Sequence, residues 1–157
     1  MTIIPRTGLG IAMTVSAIFL AFTSEDAQAE PGAKPVTATV NSTLQWGPCP
    51  SIFPAGCQIA VLHGDPAKPN ADIFLRVPGG YTIPPHTHTS PERIVLVEGQ
   101  LKVRYQGSPA EDLTLGEYAY GPASLPHVAT CKGPGSCTLF IAFEGPVDAL
   151  EFKGEIQ

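Results

Sequence analysis

Two histidines separated by a single residue carry the clearest chemical signal in this sequence. On an extended strand, side chains alternate between the two faces, so His86 and His88 project from the same face. Glu92 follows after a short break and can supply a carboxylate oxygen, and His127 is a candidate fourth ligand. Two or three neutral imidazoles with one carboxylate suit Fe, Mn, Ni, Cu or Zn, and the set lacks the thiolates of a closed structural zinc site. We therefore predict a site for one divalent transition metal.

The composition indicates an all-β protein with one domain. The chain has 157 residues, 43% of them hydrophobic, which is enough for a single core. Its 16 glycines and 17 prolines recur too often for long helices, and β-branched and aromatic residues lie between them. Many short strands separated by turn residues predict a sandwich or barrel.

The turn residues also set the predicted strand boundaries. We expect ordered structure to begin near Leu44 or Trp46, and the proline-rich segment 46–57 to form a loop. The predicted strands cover residues 58–63, 73–77, 94–97, 101–105, 113–115, 117–120, 127–130, 138–143 and 149–152.

The net charge bears on possible partners. Fourteen acidic residues against nine basic ones give a net charge of -5, and the sequence has no basic patch. This disfavours binding to nucleic acid or to anionic lipid through charge.

The first 29 residues have the pattern of a secretory signal peptide. Arg6 precedes an apolar run over 9–22, and small residues at 27 and 29 suit cleavage after Ala29. An uncleaved membrane anchor is the alternative, but the apolar run is shorter than the roughly 20 residues that a spanning helix needs. We predict a soluble mature protein, periplasmic or secreted, with a flexible lead-in over 30–42.

All four cysteines follow the predicted cleavage site. An even number of cysteines in an oxidising compartment favours disulfides, and the pairs Cys49–Cys57 and Cys131–Cys137 need only short loops to close. Other pairings remain open, and metal ligation by cysteine is disfavoured because neither pair has the two-residue spacing of a zinc ribbon. We expect each local disulfide to contribute a few kcal/mol to stability, at the low end for such small loops.

The spacing around the two histidines resembles the first conserved motif of the cupin superfamily at every defining position. The matching residues are Gly80, His86, His88, Glu92 and Gly99. The second cupin motif is matched in part, through Gly116, Pro122 and His127. Ser124 stands where the family usually has glycine, and Cys131 stands where it often has asparagine.

This resemblance implies a single cupin domain over 30–157, folded as a double-stranded β-helix (jelly-roll) barrel with the metal inside its mouth. The resemblance implies that the metal ligands are His86, His88, Glu92 and His127. Small cupins often pair through sheet edges, and covering those edges is a physical reason to expect a homodimer, although the oligomeric state stays open.

The function expected from this resemblance is that of a metal-dependent enzyme. Four protein ligands leave about two positions open on an octahedral ion. We expect a dioxygenase-type enzyme acting on a small organic molecule that chelates the ion through adjacent oxygens, with Glu92 assisting proton transfer as ligand or base. An isomerase, lyase or decarboxylase is a related alternative, and a non-catalytic metal-dependent binding or sensing protein is the rival from another class.

The remaining polar and aromatic residues carry weaker signals. His63 lies outside both motifs and is expected to be structural or exposed, and Glu98 is expected to cap the turn before Gly99. The four tyrosines could line a pocket, but aromatic residues on strands more often pack. They are Tyr81, Tyr105, Tyr118 and Tyr120.

Overall fold

The computed structural model describes residues 43–157, which contain eleven β-strands. The predicted signal peptide (1–29) and lead-in (30–42) lie outside the described residues and stay predictions. Within residues 43–157, no helix has the length and hydrophobicity needed to cross a bilayer. The strands are β1 Gly47–Pro48, β2 Gln58–His63, β3 Ala71–Val77, β4 Thr82–Thr87, β5 Glu92–Glu98, β6 Leu101–Tyr105, β7 Glu111–Leu113, β8 Tyr118–Gly121, β9 His127–Cys131, β10 Cys137–Phe143 and β11 Leu150–Glu151.

The strands form two antiparallel sheets. The six-stranded sheet has the order β1-β2-β3-β10-β5-β8, and the five-stranded sheet has the order β11-β4-β9-β6-β7. From β3 onward the chain crosses between the sheets at almost every connection, as in a jelly roll. The predicted all-β jelly-roll fold is confirmed.

The core lies between the inner faces of the two sheets, and β5 shows the alternation that builds it. Glu92, Ile94 and Leu96 are 2%, 5% and 0% exposed, whereas Arg93 and Val95 between them are half-buried. Successive side chains of a strand point to opposite faces, so the three buried residues share the inner face. Glu92 is therefore a charged residue at an inward position of an otherwise apolar row.

A β-bulge ends this alternation before Glu98. The register between β10 and β5 shifts between Thr138 and Leu139, so Glu98 is exposed. Its carboxylate accepts a 2.6 Å hydrogen bond from the Thr138 hydroxyl. Glu98 thus lies outside the candidate site.

Most of the predicted strand bounds lie one or two residues from the observed ones, and β4 has no counterpart among the predicted strands. Strands β2 and β6 have the predicted bounds. The strand predicted over 113–115 instead covers Glu111–Leu113, because Leu113 pairs with Leu101 and Glu111 with Val103. The short strand β1 lies inside the segment predicted as a loop, since it pairs with the start of β2.

Both predicted disulfides are present. Cys49–Cys57 closes a loop before β2, with 5.5 Å between the Cα atoms, and Cys131–Cys137 joins β9 to β10, with 5.7 Å. Since β9 and β10 belong to different sheets, the second disulfide links the two layers. Two disulfides point to an oxidising compartment.

Candidate metal centre

Three buried histidines converge at one end of the core. His86 lies on β4 directly opposite His127 on β9, and His88 follows the end of β4. His86, His88 and His127 are 4%, 7% and 5% exposed, and one potential ligand atom from each lies within 4.8 Å of the others. The alternation predicted for His86 and His88 is therefore present, and cross-strand pairing brings His127 to them.

Main-chain carbonyls orient all three imidazoles. Each Nδ1 lies at hydrogen-bond distance from a carbonyl oxygen: 2.8 Å for His86 with Pro84, 2.5 Å for His88 with Asp148 and 3.1 Å for His127 with Leu125. A carbonyl can only accept, so each Nδ1 carries the proton and donates it. Nε2 is then left as the free lone-pair donor, which is the arrangement of metal-binding histidines.

Glu92 reaches the histidines from the other sheet. Its two carboxylate oxygens lie 3.4 Å from His88 Nε2 and 3.2 Å from His127 Nε2. In the tautomer set by the carbonyls, Nε2 of His127 carries no proton to donate, and Glu92 Oε1 has no hydrogen-bond partner among the described residues. His88 Nε2 also lacks a partner there.

Gly121 makes the space that this carboxylate occupies. It lies opposite Glu92 on the neighbouring strand β8, and a Cβ at this position would lie 2.8 Å from Glu92 Oε1. Only glycine fits there without moving Glu92.

The electrostatics of the cluster match a site for a cation. Burial, with a smaller contribution from the nearby His127 and His88, lowers the pKa of His86 to about 3, so this imidazole is neutral at pH 7. Burial raises the pKa of the Glu92 carboxyl, but its close contact with His127 and the proximity of His88 and His86 outweigh burial and hold this pKa below its usual value. The cluster therefore presents at least one neutral nitrogen donor, from His86, beside a carboxylate.

The residues present fit one divalent transition metal. Buried polar atoms without partners are costly, and a cation between His88 Nε2 and Glu92 Oε1 would satisfy both. Imidazole and carboxylate donors suit several first-row metals, so the donor set fits an ion without selecting one.

The cluster lies at the end of an apolar cavity of about 50 Å³. Among the described residues that line it, the four polar side chains are His86, His88, Glu92 and His127. The apolar lining comes from both sheets and from the segment before β2: Pro50, Phe53, Ile59, Ile73, Leu75, Ile83, Ile94, Leu101, Val103, Ala129, Leu139, Ile141, Phe143 and Val147.

The other predicted candidates lie elsewhere. His63 is exposed, as expected. Within residues 43–157, the cavity lining includes no tyrosine. Tyr118 and Tyr120 are 56% and 47% exposed, and the Tyr81 hydroxyl donates to the Pro54 carbonyl. Tyr105 packs its ring 5.1 Å from that of His127, and burial raises the pKa of its hydroxyl.

Sequence reasoning missed the residues that position the ligands. Gly121 was assigned only to a turn, and the Asp148 carbonyl is 60 positions from the histidine it contacts. The Asp148 carboxylate also accepts hydrogen bonds from the backbone and the hydroxyl of Thr89, at 3.0 and 2.6 Å. No motif signals a main-chain acceptor, whereas a glycine facing a strand glutamate could have been noticed once β5 and β8 were paired.

Comparison with known proteins agrees with the fold. Residues 36–148 match the ChrR cupin-like domain, which is most of the chain. The chain belongs to this cupin family. A comparison with curated proteins gives no significant match.

Solved structures similar to this cupin share its fold at low sequence identity. The DMSP lyase DddQ from Ruegeria pomeroyi DSS-3 is 18% identical, with a TM-score of 0.61 over 71% of this chain. The cupin spans 64% of that lyase. An RmlC-like cupin from Shewanella frigidimarina is 20% identical, with a TM-score of 0.55 over 67% of this chain and 86% of its own. Oxalate decarboxylase from Bacillus subtilis is 19% identical, with a TM-score of 0.51 over 59% of this chain and 26% of its own.

Proposed function

We propose that this cupin is a periplasmic or secreted metal-dependent enzyme of dioxygenase type, acting on a small organic molecule that chelates the ion through adjacent oxygens. One observation carries the proposal: three oriented imidazoles and one carboxylate converge at the polar end of an otherwise apolar cavity. An apolar pocket with a few convergent polar groups is the usual form of a small-molecule site.

The four polar residues have different proposed roles. His86, His88, His127 and Glu92 would hold one divalent transition metal, which when bound would supply open coordination positions and, if redox-active, chemistry with dioxygen. The carbonyl acceptors keep the imidazoles in the tautomer that ligation needs. Glu92 is the catalytic residue, as a ligand or as a base that takes a substrate proton, because it is the one carboxylate among the described lining residues.

The size and the walls of the cavity support a small substrate. A volume of about 50 Å³ corresponds to roughly three to five water molecules at 10–15 Å³ each. The apolar walls leave the ion-binding end as the place where a polar head group finds partners.

The cavity lining also supports a second candidate, a non-catalytic binding protein. Apart from the four predicted ligands, the described lining residues include no ionisable side chain. An isomerase, lyase or decarboxylase would need proton transfer, and Glu92 would have to provide it alone. A binding or sensing role needs no proton transfer. Some similar structures are named as a lyase and a decarboxylase, but at below 20% identity they support the fold alone.

The metal content of protein purified from the periplasm tests the site first. We expect close to one transition-metal ion per chain in the wild type and loss of that ion in a His86→Ala, His88→Ala double variant. His63→Ala is the matched control, because His63 is an exposed histidine outside the cluster. An empty wild type that also fails to take up metal on titration would contradict the proposal.

Oxygen consumption then separates the two functions. The metal-loaded protein is supplied with catechols, flavonols and β-diketones, and turnover that is lost in the double variant supports the enzyme. Tight binding of a small molecule without turnover, with any of the candidate metals, would establish the binding role instead.

A further inference from the structure

The lining residues show where the cavity opens to solvent. Four of them are not fully buried, namely Pro50, Phe53, Ile59 and Val147. Pro50 and Phe53 belong to the segment 49–57 that the Cys49–Cys57 disulfide closes, here called the mouth loop. The mouth loop therefore forms part of the rim of the cavity.

Phe53 is the rim residue that reaches the candidate metal centre. Its ring meets the His86 ring edge to face, with 5.1 Å between centroids and an interplanar angle of 83°. The side chain is half-buried and packs against the hydrophobic core. Phe53 thus lies between solvent and a predicted metal ligand.

Several contacts hold the mouth loop in place. The disulfide closes it, the Cys49 amide donates to the Cys57 carbonyl at 3.4 Å, and the Phe53 amide donates to the Pro50 carbonyl at 3.0 Å. The Tyr81 hydroxyl donates to the Pro54 carbonyl at 2.6 Å. A loop tied at both ends and in the middle presents Phe53 as a fixed wall, which is what selection by size requires.

We propose that Phe53 is the specificity-determining residue of this cavity and limits the size of the molecule that reaches the metal centre. The inference rests on the proposed function, since it assumes that the ligand binds at the histidine cluster. Phe53 lines the cavity and contacts His86, so replacing its ring by a methyl group would enlarge the cavity beside the histidine cluster. The wild type would then favour compact ligands, and Phe53→Ala would admit bulkier ones.

Ligand size tests this role in protein loaded with Co²⁺. Acetohydroxamate and benzohydroxamate chelate through the same two oxygens and differ in bulk, and their Kd values follow from changes in the Co²⁺ absorption spectrum. We expect Phe53→Ala to shift the ratio of the two Kd values at least tenfold toward benzohydroxamate, and Phe53→Leu to shift it less. Phe140→Leu is the control, because Phe140 is half-buried on β10 but does not line the cavity. An unchanged ratio in fully loaded Phe53→Ala would overturn the proposal.

A second measurement does not need the metal. Diethyl pyrocarbonate modifies accessible neutral imidazoles, and mass spectrometry of peptides separates the modification of His86 from that of the exposed His63. We expect metal-free Phe53→Ala to react severalfold faster at His86 than the wild type, with His63 unchanged. Equal modification rates of His86 in the two proteins would overturn the role of Phe53. Failure of the wild type to bind Co²⁺ would instead contradict the proposed function, and the modification rates would then still test the role of Phe53.

Discussion

The two sheets contribute different kinds of donor to the candidate metal centre. The five-stranded sheet and the residue after β4 supply three imidazoles, and the six-stranded sheet supplies the single carboxylate, Glu92. The imidazoles are each held by a carbonyl acceptor, two of them by the residue two positions earlier in the chain. Glu92 Oε1 has no such partner among the described residues, and its place depends on the gap at Gly121.

This difference suggests a division between fixed and adjustable ligands. A side chain held by its own hydrogen bond keeps one orientation, whereas a carboxylate positioned by packing alone can change its distance from the ion. That freedom suits the dual role proposed for Glu92, as ligand and as base.

Removing the donor of either sheet, in separate variants, should produce the largest loss of metal affinity. We expect His127→Ala to weaken metal binding by more than the roughly 10–100-fold typical of losing an outer-shell partner, because it removes a ligand itself. Glu92→Gln keeps an oxygen and the side-chain shape, so it should retain more affinity than His127→Ala while losing any turnover. Isothermal titration with Co²⁺ measures both, and equal losses of affinity would contradict the division.

Filling the gap beside Glu92 should have an intermediate effect. Gly121→Ala places a methyl group against the carboxylate, so we expect a roughly 10–100-fold loss of metal affinity in a folded protein. Gly135→Ala is the control, because a Cβ there would meet no atom within 4 Å. If both variants bind metal like the wild type, Glu92 does not depend on Gly121.

The disulfide between the sheets should matter more for stability than the one at the mouth. Loop entropy predicts a similar loss of about 2 kcal/mol for either pair, since the loops are of similar length. Cys131 and Cys137 are both fully buried and join the layers that carry the two kinds of donor. We therefore expect the Cys131→Ser, Cys137→Ser variant to unfold at a lower urea concentration than the Cys49→Ser, Cys57→Ser variant. Equal unfolding midpoints would show that burial of a disulfide does not increase its contribution to stability.

The smallest effect concerns the acid stability of the metal-free protein. The pKa of His86 is about 3 in the folded protein and has its ordinary value of 6.5 in the unfolded chain, so between these values the unfolded chain binds more protons. Stability should therefore fall as pH decreases from about 6.5 toward 3. The lowered pKa of Glu92 acts in the same direction at the acid end of this range. Urea unfolding at several pH values should show a flatter slope for His86→Gln, and an unchanged slope would rule out His86 as the cause.

The strands could be predicted where turn residues mark both ends. Strand β2 ends at a Gly-Asp-Pro turn and β6 lies between two glycine-containing turns, and both have their predicted bounds. Strand β7 was placed too late in the chain because its extent depends on pairing with β6 rather than on its own residues. The same reason explains β1, which is a strand only because β2 lies beside it.

The sequence by itself determined the all-β fold, the cupin motif, the local disulfides and the shared face of His86 and His88, because each follows from residue type and short-range spacing. Gly99 illustrates this, since its φ of +87° requires the glycine that the motif supplies. Tertiary structure alone decided that the Asp148 carbonyl orients His88, that Gly121 leaves room for Glu92, and that Phe53 lies against His86. These contacts join residues from 29 to 60 positions apart in the sequence. The packing of the two sheets brings such residues together, and no local pattern predicts it.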